Sequence, residues 1–141
     1  MSALAKLVSE LIVIVAGFGI DAAGGEVPDV RLVSQHVIAA EACNRPCAVL
    51  AVFDPDKGIL LDSRLDPLND LNARSILLHE LIHFLQWKAT GRVAQGCTEW
   101  LRRESQAYEV QFAWLSRQTK GERRFPVRRP ILPPVLCEAK L

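Results

Sequence analysis

The sequence has almost no net charge: 17 Lys and Arg against 16 Asp and Glu leave +1 at neutral pH. Nothing global therefore draws it to nucleic acid or to an acidic surface, and any partner has to be argued from local features. It also lacks the run of about 20 apolar residues that a membrane span requires. The longest such stretch, Leu7 to Ile20, is interrupted by Glu10 and offers a poor small-residue cleavage pattern. Leu4, Leu7, Leu11, Ile14 or Val15, and Phe18 share one helical stripe instead, so the stretch reads as a core helix ending near Gly17 to Gly19, not as a signal peptide or a span. There is no internal repeat, no low-complexity tract and no CxxC pair of the kind that marks a thiolate metal site.

What is present fits one domain. The chain of 141 residues is half apolar, long enough to bury its own core. Asp21 to Pro28 reads as a loop, Val30 to Val33 as a short strand, and Gln35 to Ala42 as a helical turn or a second short segment. Ala48 to Phe53 and Gly58 to Asp62, separated by the turn chemistry of Asp54-Pro55-Asp56-Lys57, predict a β-hairpin. Thr98 to Arg117 predicts an amphipathic helix with Thr98 as N-cap. The domain is expected to span residues 1–119. Residues 120–141 form a Pro- and Arg-rich tail that packs on the domain or extends from it, with Arg123, Arg124, Arg128 and Arg129 read as a solvated face.

The most informative stretch is Ser75 to Gln86, where two histidines stand four apart with a glutamate directly after the first: His79-Glu80-Leu81-Ile82-His83. On a helix, positions i and i+4 share a face, so both imidazoles can turn toward one metal ion. Glu80 sits about 100° around the helix from His79, within reach of a metal-bound water without being a ligand. The helical context is sound: Leu68 to Lys88 contains no Gly or Pro, Leu71, Leu78, Leu81 and Leu85 recur at helical spacing, and Asp66-Pro67 predicts an N-cap followed by Pro at the first helical position. The hairpin runs straight into this helix, so its second strand is expected to pass the metal face, where an edge strand could hold an extended peptide by backbone hydrogen bonds.

Two histidines leave one protein ligand missing from a catalytic site of three ligands and an open position. The second long helix offers Glu99, Glu104 and Glu109. Glu104, Ala107, Tyr108 and Gln111 stand at i, i+3, i+4 and i+7 on one face, with a small residue where two helices must approach; Glu99 and Glu109 are each five residues from Glu104, about 140° away. Glu104 is therefore the expected third ligand. Tyr108 is expected either to donate to a developing oxyanion or to orient a ligand, and Gln86, three residues after His83, to hydrogen-bond Glu104. His36, far from the motif, reads as an ordinary surface residue.

Residues His79 to Gln86 (HELIHFLQ) followed by Glu104-Ser105-Gln106-Ala107-Tyr108 resemble the zincin metallopeptidases of the gluzincin type, and most of all small bacterial zincin-like domains with a HELxHxxQ helix and an ExxAY helix. The resemblance implies a minimal α+β zincin-like domain: N-terminal helix, small sheet with a hairpin, HExxH helix, glutamate helix and Pro-rich tail. It implies one Zn2+ held by His79, His83 and Glu104, Glu80 as general base toward a zinc-bound water, and a peptide or protein substrate. The chain departs from larger gluzincins in lacking their NExxSD pattern and a C-terminal helical domain carrying a transition-state His or Tyr. The rival expectations are a zinc-binding scaffold or interaction module with little activity, and a hydrolase of a non-peptide amide. Cys43, Cys47, Cys97 and Cys137 fit two disulfides or four free thiols; the expected compartment is cytoplasmic by default, with export open because of these cysteines.

Overall fold

A computed structural model describes residues 2–43 and 49–119; the predicted tail, together with Cys47 and Cys137, lies outside them. The described chain is α+β, with four helices and one three-stranded mixed sheet: α1 (Ala3–Ala16), β1 (Val30–Val33), α2 (Gln35–Ala42), β2 (Ala51–Asp54), β3 (Gly58–Asp62), α3 (Leu71–Thr90) and α4 (Gly96–Gln118). A single 3-10 turn, Ala23–Gly25, interrupts the predicted loop after α1.

The sheet order is β1-β3-β2, with β1 parallel and β2 antiparallel to β3. β3 is central, and Ile59, Leu60, Leu61 and Asp62 are all buried. Gly58 opens β3 with φ +83°, and a Cβ there would stand 2.4 Å from the Asp29 carbonyl oxygen. Only glycine meets both demands, and the approach lets Ile59 N–H bond to Asp29 O at 2.8 Å, which starts the β1–β3 pairing.

α3 is buried nearly all round: Leu77, Leu78, Leu81 and Ile82 have no exposed surface and Leu85 almost none. A helix buried on most of its sides belongs near the centre of a fold. Accordingly α3 packs on the sheet, on α1 through the Leu7, Val8, Leu11, Ile12 and Val15 stripe, and on α4 around Ala107. None of the described helices is long and apolar enough to cross a membrane.

Two helix starts differ from expectation. α3 begins at Leu71, four residues after Pro67, with Asp70 as N-cap accepting the Ala73 N–H at 2.9 Å. Asp66 instead closes its own turn, taking Asn69 N–H and Nδ2, while the buried Pro67 gives its carbonyl to Arg74 Nε at 2.9 Å. α4 begins at Gly96, ahead of Thr98, because the Glu99 carboxylate accepts the Gln95 N–H at 3.2 Å from inside the first turn. The far end of α3 follows expectation: Gly91 caps it in the left-handed region at φ 71°.

Candidate metal centre

One turn of α3 separates His79 from His83, and the two rings meet with Nε2 atoms 3.2 Å apart. α4 brings Glu104 against both: Oε1 lies 3.3 Å from His79 Nε2 and in direct contact with His83 Nε2. Ala107, fully buried beside them, lets the two helices approach this closely. In a tetrahedral site with bonds of about 2.0–2.1 Å, ligand atoms stand about 3.3–3.4 Å apart. The His79–His83 and His79–Glu104 separations match that edge, so this group could hold a metal ion; the three ligand atoms lie within 4.8 Å of one another.

Each histidine is fixed from behind by a glutamine. Ser75 Oγ donates to the Asn72 carbonyl at 2.7 Å, so it must accept from Gln111 Nε2 at 3.1 Å, which turns Gln111 Oε1 toward His79 Nδ1 at 2.9 Å. On His83, Gln86 Nε2 donates to the Arg103 carbonyl at 3.0 Å and to Gln106 Oε1 at 2.8 Å, leaving Gln86 Oε1 on His83 Nδ1 at 2.8 Å. A carbonyl oxygen only accepts, so each ring donates from Nδ1 to its glutamine and turns Nε2 toward the centre, where it donates to Glu104 when protonated and can ligate a metal when bare. Gln86 thus serves His83, not Glu104 as its position had suggested. The role of Gln111 went unread, although it stands on the same face of α4 as Glu104.

The charges follow from these contacts. Burial would raise the Glu104 carboxyl, but hydrogen bonds from His79 and His83 outweigh it and bring the pKa to about 2. Burial would lower His83, yet the bond to Glu104 and the charges of Glu80 and Glu104 lift it to about 8. Glu80 is almost fully buried, which pushes its carboxyl up against the opposing pull of His83 and His79, and the Phe53 backbone N–H donates to it. Glu80 is thereby tethered to strand β2.

Tyr108 packs its ring on His79, with centroids 4.4 Å apart, and stacks on Phe112 at 6.1 Å. Burial, and then the charges of Glu104 and Glu80, raise its phenol above the ordinary value, which keeps it a hydrogen-bond donor at neutral pH. Glu99 is not part of the centre: its carboxylate binds Arg92 at 2.8 and 2.9 Å and Arg103 at 2.8 Å. Glu109 and His36 are exposed, His36 against Ser34 Oγ at 3.2 Å.

His79, Glu80, His83, Glu104 and Tyr108 all line one cavity of about 630 Å³. The end of α2 and residues 49–53 form one side; Val93, Ala94, Trp100 and Arg103 belong to the other. The hairpin strand at the metal face is therefore β2, the edge strand, and not β3, which the sheet order places at the centre. Cys43, next to the cavity residue Ala42, and Cys97, between Ala94 and Trp100, are both disulfide-bonded. Comparison with protein-family models, curated proteins and solved structures gives no match.

Proposed function

We propose that this protein is a zinc-dependent peptidase whose centre is His79, His83 and Glu104, with Glu80 as general base. The observation that carries the reading is the meeting of three ligand atoms within 4.8 Å of one another with a second, buried carboxylate in the same cavity. Two imidazoles and one carboxylate suit zinc, and the described cysteines, being in disulfides, supply no competing thiolate. When bound, zinc supplies a Lewis acid that polarises a carbonyl and activates water near neutral pH.

The chain's own residues do the rest. Gln111 and Gln86 hold the rings with Nε2 turned to the centre. The Phe53 N–H holds Glu80 at the cavity wall, where its burial favours taking up a proton. A carboxylate so placed can accept the proton of an attacking water and return it to the leaving amine. Tyr108, kept protonated, is a donor beside the reacting carbonyl or a brace for His79. Among the described residues β2 pairs only with β3, so its other edge, apart from the Phe53 N–H that Glu80 takes, is open to an extended peptide. The disulfide-bonded Cys43 and Cys97 support an oxidising compartment over the cytoplasm.

The test is Glu80→Gln. Metal analysis should show one zinc per chain in both proteins. Hydrolysis of an unfolded protein substrate should fall by about 10²–10⁴-fold in the variant, the usual share of general base catalysis. Zinc retained by a wild type that cleaves nothing would assign the metal a structural role instead.

A further inference from the structure

The apolar and charged lining of the cavity carries a statement about substrate class, and it rests on the peptidase reading above. Of the exposed large apolar side chains among the described residues, Leu50 at 38% and Val93 at 54% are the two that line the cavity. They come from its two sides, Leu50 from the chain entering β2 and Val93 from the α3–α4 connection. Water-exposed aliphatic surface on either side of a reactive centre gains by being covered, and what covers it best is another apolar side chain.

The charges point the same way. The carboxylates lining the cavity are Glu41, Glu80 and Glu104, and Glu41 is held by Lys57. The one Lys or Arg among the described residues of the lining, Arg103, is committed: Nη1 donates to the Arg92 carbonyl at 3.1 Å, and Nη2 to Thr90 Oγ1 at 3.1 Å and Glu99 Oε1 at 2.8 Å. A bound divalent ion would be balanced by Glu104 and Glu80, leaving no spare positive charge among the described residues of the lining. An acidic side chain entering here would lose water without gaining a cation.

We infer that the cleft selects peptide segments carrying a bulky aliphatic or aromatic side chain between Leu50 and Val93, next to the bond cleaved, and rejects acidic residues at that position. The proposal makes Leu50 and Val93 specificity-determining residues. One missing methylene in an apolar pocket changes kcat/KM by about 10–200-fold. With this half-open pocket, a Leu peptide should exceed its Ala counterpart by at least about tenfold.

The experiment uses the full-length zinc-loaded chain and peptides identical except at one position, set to Ala, Leu, Phe, Asp or Lys, with cleavage followed by mass spectrometry. Leu and Phe should be cleaved fastest and Asp slowest. Val93→Lys, exposed and so tolerated by the fold, should shift the Leu-to-Asp ratio toward Asp roughly fivefold or more, and Leu50→Ala should narrow the Leu-to-Ala difference. Dissociation constants for the same peptides with Glu80→Gln separate selection from chemistry. Cleavage with no apolar preference, or with Asp favoured, overturns this inference and leaves the peptidase reading standing. Ordered binding by Glu80→Gln without cleavage by the wild type upholds the selectivity and overturns the peptidase. No binding and no cleavage of any peptide overturns both.

Discussion

Glu104 and Glu99 sit five residues apart on α4 with different work: one contacts both histidines, the other ties Arg92 and Arg103 beneath the α3–α4 connection. Glu104→Ala should therefore weaken zinc binding by orders of magnitude while Glu99→Ala changes it little, as measured by competition with a chromophoric chelator. Equal losses would remove Glu104 from the ligand set. The glutamines behind the rings give a subtler expectation. Replacing Gln111 with Leu removes the acceptor that holds His79 Nδ1, and losing the partner behind a ligating histidine usually costs about 10–100-fold in metal affinity. Nitrogen NMR shifts of His79 in the variant should then report mixed Nδ1 and Nε2 protonation, a change that a merely loosened fold would not confine to one ring. At this scale the sequence is legible where geometry is local. His79, Glu80, His83 and the Glu104 face follow from 3.6 residues per turn, and these residues do meet. Gln111 shares that face, but its amide reaches His79 only because Ser75, on the other helix, turns it. Such a three-body contact has no signature in either helix alone.

Elements were legible to the extent that their boundaries are written in local chemistry. β1 and β3 run over the predicted residues because Pro28-Asp29 and the Asp54 to Lys57 turn delimit them. The start of α3 was misplaced because Asp66-Pro67 has the composition of a cap, yet its polar groups are consumed by Asn69 and Arg74. Asp70→Ala should accordingly cost about 1 kcal/mol of stability, the usual value of a side-chain N-cap. Asp66→Ala should cost less, since the carboxylate it removes closes an exposed turn with Asn69. Paired chemical denaturation curves decide the matter, and a larger loss at Asp66 would restore the earlier start. Which hairpin strand lies at the edge was not legible. Alternation marks a face, but strand order is set by what pairs on the far side, here β1 joining β3 in parallel from almost 30 residues earlier in the chain.

For the molecule as a whole, a metal held by His79, His83 and Glu104 would join α3 to α4, so its removal is expected to be felt in global stability. A ligand present at a thousandfold its dissociation constant stabilises by about 4 kcal/mol, which in a chain of this size moves Tm by roughly 10 °C or more. The size of that shift should depend on pH in a definite direction. In the metal-free protein His83 is raised from 6.5 to about 8 and Glu104 lowered from 4.5 to about 2. The raised group stabilises the metal-free fold fully below 6.5 and loses that contribution as pH rises through about 8. The lowered group contributes above 4.5 and loses its contribution as pH falls toward about 2. Their pair thus serves the metal-free protein best between about 4.5 and 6.5, where a metal must expel the His83 proton before it can bind. Zinc uptake near pH 6.5 should release close to one proton per ion, seen as a calorimetric heat that varies with buffer ionisation enthalpy. The Tm gap between zinc-loaded and chelator-treated protein should widen from pH 6 to pH 8 at fixed free zinc. A gap that narrows over that range would mean that His83 does not give up a proton to the metal, and that the His83–Glu104 contact is a structural ion pair.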